Sequence, residues 1–421
     1  MKTDILIVGS GCSGLYCALQ LPRDKQIVLI TKSDVESSDS YLAQGGICML
    51  RDEDDYDSYF EDTMKAGHYE NDRHSVDIMI RSSQDVIRDL LSYGVDFQRD
   101  ENGDLAFTKE GAHSEKRILF HADITGKEIT SKLLARVREL NNVTILENTT
   151  LLDIITNDNN CYGGILQLSD GSIEAIEASQ TVLATGGVGG LYRYSTNFRH
   201  LTGDALAIAV KHGIELKDAN YVQIHPTTLY HPNTKERSFL ISESVRGEGA
   251  KLYDKNMNRF VDELLPRDLL TKAILAQMEK DGTDYVWEDL RTIPAEELES
   301  HFPNIVAHCM KMGYDVTKEC IPVVPAQHYY MGGIKVNDMS KTSMEHLYAI
   351  GETACNGVHG KNRLASNSLL ESLVFAKRAA KDIAADTVVA ASGDIQINLE
   401  NYQDTEALAN EYREIALEQI K

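Results

Sequence analysis

Apolar stretches of strand length are followed by glycine clusters at several places along the chain, and this pattern predicts an α/β fold. The first stretch, residues 4–8, leads into GSGCSG at 9–14 and then into the helix-compatible segment LYCALQL. A second apolar stretch follows at 26–30. A strand, a glycine-rich turn and a helix start in this order are typical of a Rossmann-like unit, in which the helix N-terminus meets a pyrophosphate. The chain is therefore predicted to contain a dinucleotide-binding domain.

Further glycine clusters extend this prediction. They are QGG at 44–46, TVLATGGVGGLY at 181–192 and LYAIGETACNG at 347–357. Each alone is compatible with an ordinary turn. Together, with an apolar strand before two of them, they suit a long cofactor that lies across several strand ends. In the last cluster, Glu352 is a candidate to accept hydrogen bonds from ribityl or ribose hydroxyls.

The end of the second strand departs from the pattern of NAD-binding domains. Lys32 stands where an acidic residue normally holds a ribose hydroxyl, which weakens an NAD interpretation. Two alternatives stay open at this point. Either Asp34 or Glu36 replaces the missing acid, or Lys32 itself meets the adenine-side phosphate or ribose.

The pattern changes between about residues 220 and 327. This part contains HPTTL, a long charged stretch, a helical stretch and VPAQHYYMGGI, whereas the sequence on either side keeps the character of the cofactor domain. An α+β capping domain inserted into the Rossmann-like domain is therefore predicted. The predicted division is 1–219 and 329–392 for the cofactor-binding domain, 220–328 for the capping and substrate domain, and 393–421 for a short C-terminal helical segment.

Composition and charge limit the possible functions. A chain of 421 residues with 42% hydrophobic and 25% charged residues is typical of a soluble enzyme with two or three domains. No apolar run has the length of a membrane span, and the N-terminal segment lacks an export signal, so we expect a cytoplasmic protein without membrane association. The net charge of -23 disfavours nucleic acid as a partner. It also means that the pocket of a dianionic substrate must gather cations locally.

The cysteines indicate neither a disulfide framework nor a metal site. There are 7 of them, scattered along the chain, and none forms a C-x-x-C pair. An odd number of isolated cysteines is typical of a protein in a reducing compartment. No metal is therefore expected.

One segment near the C-terminus combines a cation with a helix start. The run GVHGKNRLASNSLLE at 357–371 places Arg363 a few residues before Ser366, where a helix is predicted to begin. A guanidinium suits a carboxylate, and a helix N-terminus suits a second acceptor, so this segment can face both at once. The alternative is a solvent-facing arginine before an ordinary N-cap.

The predicted capping domain carries polar residues near its edges. His225 precedes a proline at the first edge, and His328 precedes a tyrosine at the second. Histidines in such places are also commonly structural. Further along, Ser242, Glu243 and Arg246 fall at helical spacing, and Arg267 follows Pro266 at a predicted helix start, where it could equally form a surface ion pair beside the N-terminus.

Taken in order, the motifs resemble one known family. AQGGI, ATGG, HPT, VRGEGA, PRD, HYYMGG and HGKNRLASNSLLE occur as in the succinate dehydrogenase, fumarate reductase and L-aspartate oxidase flavoproteins, over essentially residues 1–390. The resemblance implies bound FAD, with the helix that starts near Ser366 directing its dipole at the flavin pyrimidine. The candidate cofactor-binding residues are Gly9, Ser10, Gly11, Cys12, Ser13, Gly14, Lys32, Asp39, Ser40, Gln44, Gly45, Gly46, Gly186, Gly187, Asp204, Glu352, Ser368 and Leu369.

The same resemblance assigns the substrate site. One carboxylate of a C4 dicarboxylate is expected to bind His225 and Ser242, and the other His328 and Arg363. Arg267 is expected to act as acid or base in connection with Glu243 and Arg246. Because a guanidinium loses its proton only at very high pH, two roles for Arg267 stay open, proton relay through Glu243 and electrostatic stabilisation.

Two positions distinguish the branches of the family. Members that bind flavin covalently carry a histidine five residues before the AQGG glutamine, where this chain has Asp39, so non-covalent FAD is expected. The segment TKEGAHSEKRILFHADITGKEI at 108–129 resembles the aspartate-oxidase branch. Its Glu110 supplies a carboxylate for a substrate ammonium, although a surface pair of Lys109 and Glu110 is the simpler alternative.

The expected reaction is oxidation of L-aspartate to iminoaspartate, with C2 held against flavin N5 for hydride transfer. Reduced flavin would then be reoxidised by O2, giving H2O2, or by fumarate, giving succinate. Transfer of the imine to a quinolinate synthase in NAD biosynthesis is implied by the resemblance only. The alternative function is a soluble fumarate reductase or succinate dehydrogenase-type flavoprotein.

The C-terminus departs from the family pattern. Members usually continue into a helical domain, whereas here about one predicted helix, TEALANEYREIALEQIK, follows the last FAD segment. Either a short natural form or a truncated form is consistent with this sequence.

Overall fold

The computed structural model describes residues 1–233, 235–386 and 397–421. Its strands are β1 (Lys2–Val8), β2 (Ile27–Ile30), β3 (Ile47–Cys48), β4 (Ile118–Leu119), β5 (Val143–Leu146), β6 (Thr150–Asn157), β7 (Asn160–Gln167), β8 (Ile173–Leu183), β9 (Leu216–Lys217), β10 (Val222–Leu229), β11 (Phe239–Leu240), β12 (Lys251–Tyr253), β13 (Val286–Asp289), β14 (Ile321–Tyr330), β15 (Gly333–Lys335), β16 (Leu347–Ala349) and β17 (Ala354–Cys355).

The α-helices lie between these strands. They are α1 (Cys12–Gln20), α2 (Asp39–Leu42), α3 (Tyr56–Ala66), α4 (Arg73–Ser92), α5 (Thr125–Arg138), α6 (Asp204–Lys211), α7 (Glu243–Gly247), α8 (Arg267–Asp281), α9 (Ala295–His301), α10 (Pro303–Lys311), α11 (Asn367–Ala385) and α12 (Thr405–Gln419). Of the helices described, none combines the length and the apolar character that a membrane crossing requires.

A seven-stranded sheet forms the centre of the molecule, in the order β5-β2-β1-β8-β7-β6 with β16 also paired to β8. Strands β5, β2, β1, β8 and β16 run parallel, whereas β6, β7 and the first half of β8 form an antiparallel meander. Strand β2 is buried along its whole length, as expected for a parallel sheet covered on both faces. The predicted α/β fold with a strand, glycine turn and helix at the N-terminus is confirmed.

A second sheet, β11-β10-β14-β13-β12, is antiparallel and forms the framework of the capping region. Helices α8 and α10 cover its core, in which Ile274, Ile305 and Val323 are completely buried. The strands of this sheet run from Val222 to Tyr330. The domain limits at 220 and 328 stay a prediction, and the limit at 392 lies outside the described residues.

The central sheet and the capping region are joined by specific polar contacts. The Asp123 carboxylate, which is buried on the central-sheet side, accepts hydrogen bonds from the backbone N–H groups of Asn304 at 3.0 Å and Ile305 at 3.1 Å. These are free donors at the start of α10, so Asp123 caps a helix of the other region. Nearby, His68 lies 3.3 Å from Asp268 in the first turn of α8.

The C-terminal helix α12 packs on the central domain. Tyr412 is buried and its hydroxyl donates to the carbonyl of Leu152 at 2.6 Å. Ala416 is fully buried in a cluster with Leu206 of α6. This helix therefore contributes to the hydrophobic core beneath the central sheet.

Candidate active site

One large cavity opens at the carboxyl ends of β1, β2 and β8 and extends to the capping region. It encloses about 1800 Å³, including solvent at its mouth. In parallel α/β sheets, ligands bind outside the carboxyl ends of the strands where the chain direction of the connections reverses, which here is between β1 and β8. The cavity therefore lies where the sequence pattern predicts a cofactor.

The glycine-rich turn after β1 is sterically required. Gly9 has φ +123°, and a Cβ at this position would lie 2.0 Å from the carbonyl oxygen of Ala184, the residue after β8. A Cβ at Gly14 would lie 2.1 Å from the Gly9 oxygen. A Cβ at Gly11 would meet only side-chain atoms, the Ser40 hydroxyl at 3.2 Å and the Ser38 Cβ at 3.9 Å, so no backbone closes this side of the turn. The turn thus brings the N-terminus of α1 to the cavity wall.

This packing predicts that Gly9→Ala damages both the fold and cofactor retention. The new methyl group combines a strained φ with a backbone overlap, so we expect a loss of about 3 kcal/mol or more in the free energy of unfolding. The measurement is denaturant unfolding together with the amount of cofactor retained after gel filtration. Gly247→Ala is the matched control, because a Cβ there meets nothing within 4 Å. Equal stability and cofactor content in both variants would contradict the role of the turn.

Lys32 and Asp204 lie together at one end of the cavity. The Lys32 ammonium is 2.6 Å from the Asp204 carboxylate and also donates to the carbonyl of His200 at 3.1 Å. Both Lys32 and Asp204 line the cavity, whereas Asp34 and Glu36 do not. Of the two alternatives left by the sequence, the geometry therefore favours Lys32 as the residue beside the ligand.

Two half-buried acids, Asp39 and Glu352, also line the cavity. Asp39 accepts from the backbone N–H of Phe198 at 2.9 Å through one oxygen, and its other oxygen has no partner in the described part of the chain. Burial raises the pKa of Asp39 to about 7. Burial and the charge of Asp39 raise the pKa of Glu352 to about 8. The charge of Arg237, which also lines the cavity, opposes the effect of burial and lowers the pKa of Asp39.

A group of cations and acceptors forms the opposite end of the cavity. Arg267, at the first position of α8, donates from Nε to the Glu243 carboxylate at 2.6 Å. Although burial by itself would raise the pKa of Glu243, the charges of Arg267 and Arg246 hold it below its ordinary value. Glu243 is therefore an ionised carboxylate against the Arg267 guanidinium.

Arg363 approaches the same point from the segment before α11. Its guanidinium donates to the Ser368 hydroxyl at 2.5 Å and lies 4.6 Å from the centre of the Tyr329 ring. Burial, with the nearby charge of Arg267, lowers the pKa of Arg363 to about 10, which still leaves it charged at neutral pH. Two buried guanidiniums facing one cavity are a strong site for an anion.

Gln223 connects the two arginines. Its side-chain oxygen accepts from Arg267 at 2.9 Å and from Arg363 at 3.2 Å. Its amide nitrogen donates to the side-chain oxygen of Asn362 at 3.0 Å and to the carbonyl of Arg363 at 2.9 Å. All four bonds are buried, so Gln223 fixes the separation of the two guanidiniums.

The two predicted histidines lie side by side, with ring centroids 5.2 Å apart. His225 contacts the backbone of Thr227 through Nδ1, and its buried Nε2 has no partner among the described residues. His328 contacts the Thr196 hydroxyl through Nδ1 at 2.8 Å. Burial and the neighbouring arginines lower the pKa of both rings well below the ordinary value. Both are neutral at pH 7 and can offer Nε2–H to a ligand.

Glu110 lies at this end of the cavity and is buried, with 5% of its surface exposed. One carboxylate oxygen accepts from the Ser244 hydroxyl at 3.0 Å, and the other from the Ser366 hydroxyl at 2.7 Å. The loop that carries it is anchored by His113, whose Nε2 donates to the carbonyl of Ala365 at 2.9 Å. Glu110 does not form the alternative surface pair with Lys109.

Most of the predicted site residues line this one cavity. Four of them do not line the cavity but lie behind residues that do. These are Cys12, Gly14, Gly187 and Arg246. The Cys12 thiol is buried in the core, and its backbone N–H donates to the Ser40 hydroxyl at 3.1 Å. Arg246 lies behind Glu243, where it donates to the Thr227 hydroxyl and to the carbonyl of Glu263.

Sequence reasoning missed three residues of the site. Gln223 lies two positions before His225 on β10, so strand alternation was a signal for it. Ser366 was recognised as a helix start, but its left-handed backbone, φ 62°, and its bond to Glu110 replace an ordinary capping bond. Arg237 lies in an irregular polar segment before β11, where no pattern singled it out.

The cavity has the features that FAD requires. Several buried polar atoms on its wall have no partner within the described residues, namely Ser38 Oγ, Asp39 Oδ2, Gln44 Oε1, Asn197 Oδ1 and His225 Nε2. The N-terminus of α1 suits a pyrophosphate, and Lys32, Asp204 and Glu352 suit phosphate or hydroxyl groups. Ser368 and Leu369 place the start of α11 on the same wall. A long ligand with anionic and hydroxyl groups thus fits the residues present.

Comparison with known proteins identifies the family. The family model described as an FAD binding domain matches residues 4–369. The L-aspartate oxidase of Clostridium perfringens is 50% identical over 380 residues, which cover 90% of this chain and 86% of the relative. That of Clostridium acetobutylicum is 48% identical and covers 91% of this chain and 88% of the relative. This chain belongs to the L-aspartate oxidase family.

A solved structure agrees with this assignment. FrdA of the E. coli quinol fumarate reductase superposes with a TM-score of 0.86 at 29% identity, covering 97% of this chain and 74% of that chain. The predicted family, the Rossmann-like fold and FAD as the cofactor are therefore confirmed. The higher identity to L-aspartate oxidases than to FrdA places the chain in the branch that the segment at 108–129 predicts.

Proposed function

We propose that this chain catalyses the FAD-dependent oxidation of L-aspartate to iminoaspartate in the cytoplasm. One observation carries the proposal beyond family membership: Glu110 is a buried carboxylate in the same cavity as Arg267 and Arg363. Two cations suit the two carboxylates of a C4 dicarboxylate, and an additional buried anion suits an ammonium group. Succinate and fumarate have no group to pair with Glu110.

FAD, when bound, supplies a two-electron acceptor for the hydride at C2 of the substrate. We propose that Asp39, Glu352, Lys32 and Asp204 hold it together with the glycine-rich turn. Asp39 offers a carboxylate in place of the histidine that covalent attachment uses, so the cofactor is held without a covalent bond. The N-terminus of α11, at Ser368 and Leu369, supplies partial positive charge on the cavity wall.

The substrate carboxylates bind in two separate places. His225 and Ser242 hold one of them, with the buried Nε2 of His225 as the donor. His328 and Arg363 hold the other. Because both histidines are neutral, the positive charge that faces the substrate carboxylates comes from the arginines, and Glu110 balances the charge of the substrate ammonium. Fixing both ends of a short molecule holds C2 at one orientation.

Proton transfer is assigned to Arg267 and Glu243. Conversion of the protonated amine to the iminium form releases one proton from nitrogen as the hydride leaves carbon. Glu243 is ionised and 2.6 Å from Arg267, so it can receive that proton through the guanidinium, which donates one N–H proton and regains another. When fumarate binds in the same pocket, the direction reverses and a proton is delivered to carbon.

The proposed reaction requires a route for its product and an acceptor for the electrons of the reduced flavin. Iminoaspartate is labile in water, so its use in NAD biosynthesis requires prompt transfer to a quinolinate synthase. Reoxidation by O2 gives H2O2, and reoxidation by fumarate gives succinate. Either acceptor is compatible with one cavity that serves both half-reactions.

The test is the flavin spectrum of the purified protein during anaerobic addition of L-aspartate. We expect loss of the oxidised flavin absorbance at a saturable rate and its recovery when fumarate is added. Persistence of the oxidised spectrum would overturn the proposed function. Acid denaturation of the same sample should release all of the FAD into the supernatant, whereas flavin that stays with the precipitate would contradict non-covalent binding.

Gln223→Leu should impair both half-reactions. Without the shared acceptor the two guanidiniums repel each other and lose their fixed separation, so kcat/KM for L-aspartate and for fumarate should fall by about 100-fold. Gln277→Leu is the control, because Gln277 is a buried glutamine of α8 that bonds Asp281 instead. Unchanged kinetics for Gln223→Leu would remove its positioning role.

A further inference from the structure

Glu110 is held in the cavity wall by hydroxyl groups from two different parts of the molecule. The Ser366 hydroxyl, before α11, donates to one carboxylate oxygen at 2.7 Å, and the Ser244 hydroxyl, in α7, donates to the other at 3.0 Å. Both donors are neutral. Because a carboxylate accepts up to about four hydrogen bonds, Glu110 keeps capacity for a ligand on the side that lines the cavity.

The Ser366 hydroxyl also contacts a glycine turn of the cavity wall. It accepts from the backbone N–H of Gly46 at 3.2 Å. A Cβ at Gly45 would lie 2.7 Å from the Glu110 carboxylate and 3.5 Å from the Ser366 hydroxyl, so this turn packs directly against both groups. A serine hydroxyl has one proton, and this arrangement directs it at Glu110.

The backbone of Ser366 is unusual for a serine. Its φ is 62°, in the left-handed region that glycine normally occupies. The Ser366 carbonyl accepts from the backbone N–H of Cys48 at 3.1 Å, and the Ala365 carbonyl accepts from His113 Nε2 at 2.9 Å. Glycine would suit this backbone better, so the turn itself does not account for a serine. The side chain, through its bond to Glu110, does.

The far end of the loop that carries Glu110 is fixed by an arginine, Arg117, which is 0% exposed. Its guanidinium lies 2.9 Å from Asp55 and 2.6 Å from Asp62 of α3. It also donates to His113 Nδ1 at 3.2 Å, which leaves the ring hydrogen on Nε2 for the Ala365 carbonyl. Arg117 therefore fixes both the ring orientation and the tautomer of His113.

We propose that Ser366 is a specificity-determining residue that directs the Glu110 carboxylate at the substrate ammonium, with His113 as a positioning residue for Ser366. Glu110 and His113 are three residues apart and hold the consecutive residues Ser366 and Ala365, so the two segments form one unit. The ligand that this unit selects is a dicarboxylate with a protonated amine. The inference rests on the proposed role of Glu110.

The unit should act mainly on substrate binding. The protonated imine keeps the positive charge of the ammonium, so its pairing with Glu110 is similar before and after oxidation. An interaction that is equally strong in the ground state and the transition state affects KM rather than kcat. Misalignment of Glu110 should therefore raise KM for L-aspartate and leave ligands without an amine unaffected.

The test is Ser366→Gly, which removes the hydroxyl and keeps a residue suited to the left-handed backbone. We expect kcat/KM for L-aspartate, per bound flavin, to fall about tenfold and mainly through KM, because a hydrogen bond to a charged group is lost. Neither fumarate nor succinate has an amine, so kcat/KM for fumarate and the inhibition constant of succinate should change less than about twofold.

Ser340→Gly is the matched control. Ser340 is buried, has φ 65° and donates its hydroxyl to the Phe375 carbonyl at 3.2 Å, outside the cavity. This control repeats the change in backbone preference and the loss of a buried hydroxyl, and it should leave the kinetics of both substrates unchanged.

A second pair of variants tests the same unit without changing Ser366. His113→Gln keeps a donor for the Ala365 carbonyl and an acceptor for Arg117, whereas His113→Leu keeps neither. We expect His113→Leu to lower the ratio of kcat/KM for L-aspartate to that for fumarate by about tenfold, and His113→Gln to restore most of it.

Three outcomes would overturn the proposal. They are an unchanged ratio of the two activities in Ser366→Gly, an equal loss of both activities in that variant, and equal ratios in His113→Leu and His113→Gln. A wild-type flavin that L-aspartate does not reduce would instead refute the proposed function. Equal loss of both activities in Glu110→Gln would refute the role of Glu110 on which this inference rests.

Discussion

Replacement of Glu110 by glutamine should abolish most L-aspartate oxidation while sparing fumarate reduction. The variant keeps the size of the side chain and an acceptor for one of the two serines, but it removes the negative charge that we propose pairs with the substrate ammonium. Loss of one buried charge pair costs about 3 to 4 kcal/mol, so kcat/KM for L-aspartate should fall about 10²- to 10³-fold. Fumarate has no amine, and its reduction should change less than about threefold.

The measurement is anaerobic flavin reduction by L-aspartate beside fumarate reduction with a chemical donor. Glu115→Gln is the control, since it removes another carboxylate from the same loop. The Glu115 side chain is 54% exposed, and its carboxylate lies 3.7 Å from the Arg51 guanidinium. If Glu110→Gln reduced both reactions equally, Glu110 would be a structural residue that anchors Ser244 and Ser366, and its assignment to the ammonium would fail.

Replacement of Arg363 by lysine should impair L-aspartate oxidation and fumarate reduction to a similar extent. Both losses should be larger than the loss of L-aspartate oxidation in Glu110→Gln. Lysine keeps the charge but not the planar fork, so it cannot hold Gln223, Ser368 and a carboxylate together. We expect kcat/KM for L-aspartate and for fumarate to fall by about 10³-fold, equivalent to about 4 kcal/mol. Because the ammonium is not involved, the ratio of the two activities should stay nearly constant.

The control for Arg363→Lys is an arginine of α11, the helix that follows Arg363 in the chain. Arg378→Lys changes an arginine of α11 that pairs with Asp338 at 2.8 Å outside the cavity, so both activities should remain. Selective loss of one activity in Arg363→Lys would show that Arg363 binds only one of the two substrates. FAD content should be determined for each variant, since Ser368 lies on the cofactor wall.

Local sequence patterns predicted much of the fold and of the site. The apolar run at 4–8 and the glycines after it determine a strand, a turn and a helix because each depends on near neighbours only. The predicted strands at 4–8 and 26–30 correspond to β1 and β2. The prediction for Arg363 and the helix after it also rested on one contiguous segment, and both reach the cavity.

Local sequence patterns do not predict contacts between segments that are distant along the chain. Gln223 binds Arg363 across 140 positions, and no local period encodes that pairing. Ser366 adopts a left-handed backbone that glycine normally occupies, so its bond to Glu110 depends on tertiary packing.

Asp123 and Glu110 belong to one stretch of chain, although they act on different parts of the molecule. The first caps α10 of the capping region, and the second faces the substrate cavity. A recombinant chimera that exchanged residues 108–129 with a fumarate reductase would therefore alter cap docking and amine selection together. Exchange of this stretch as a whole therefore cannot separate the two effects, whereas single substitutions at Glu110 and Asp123 can.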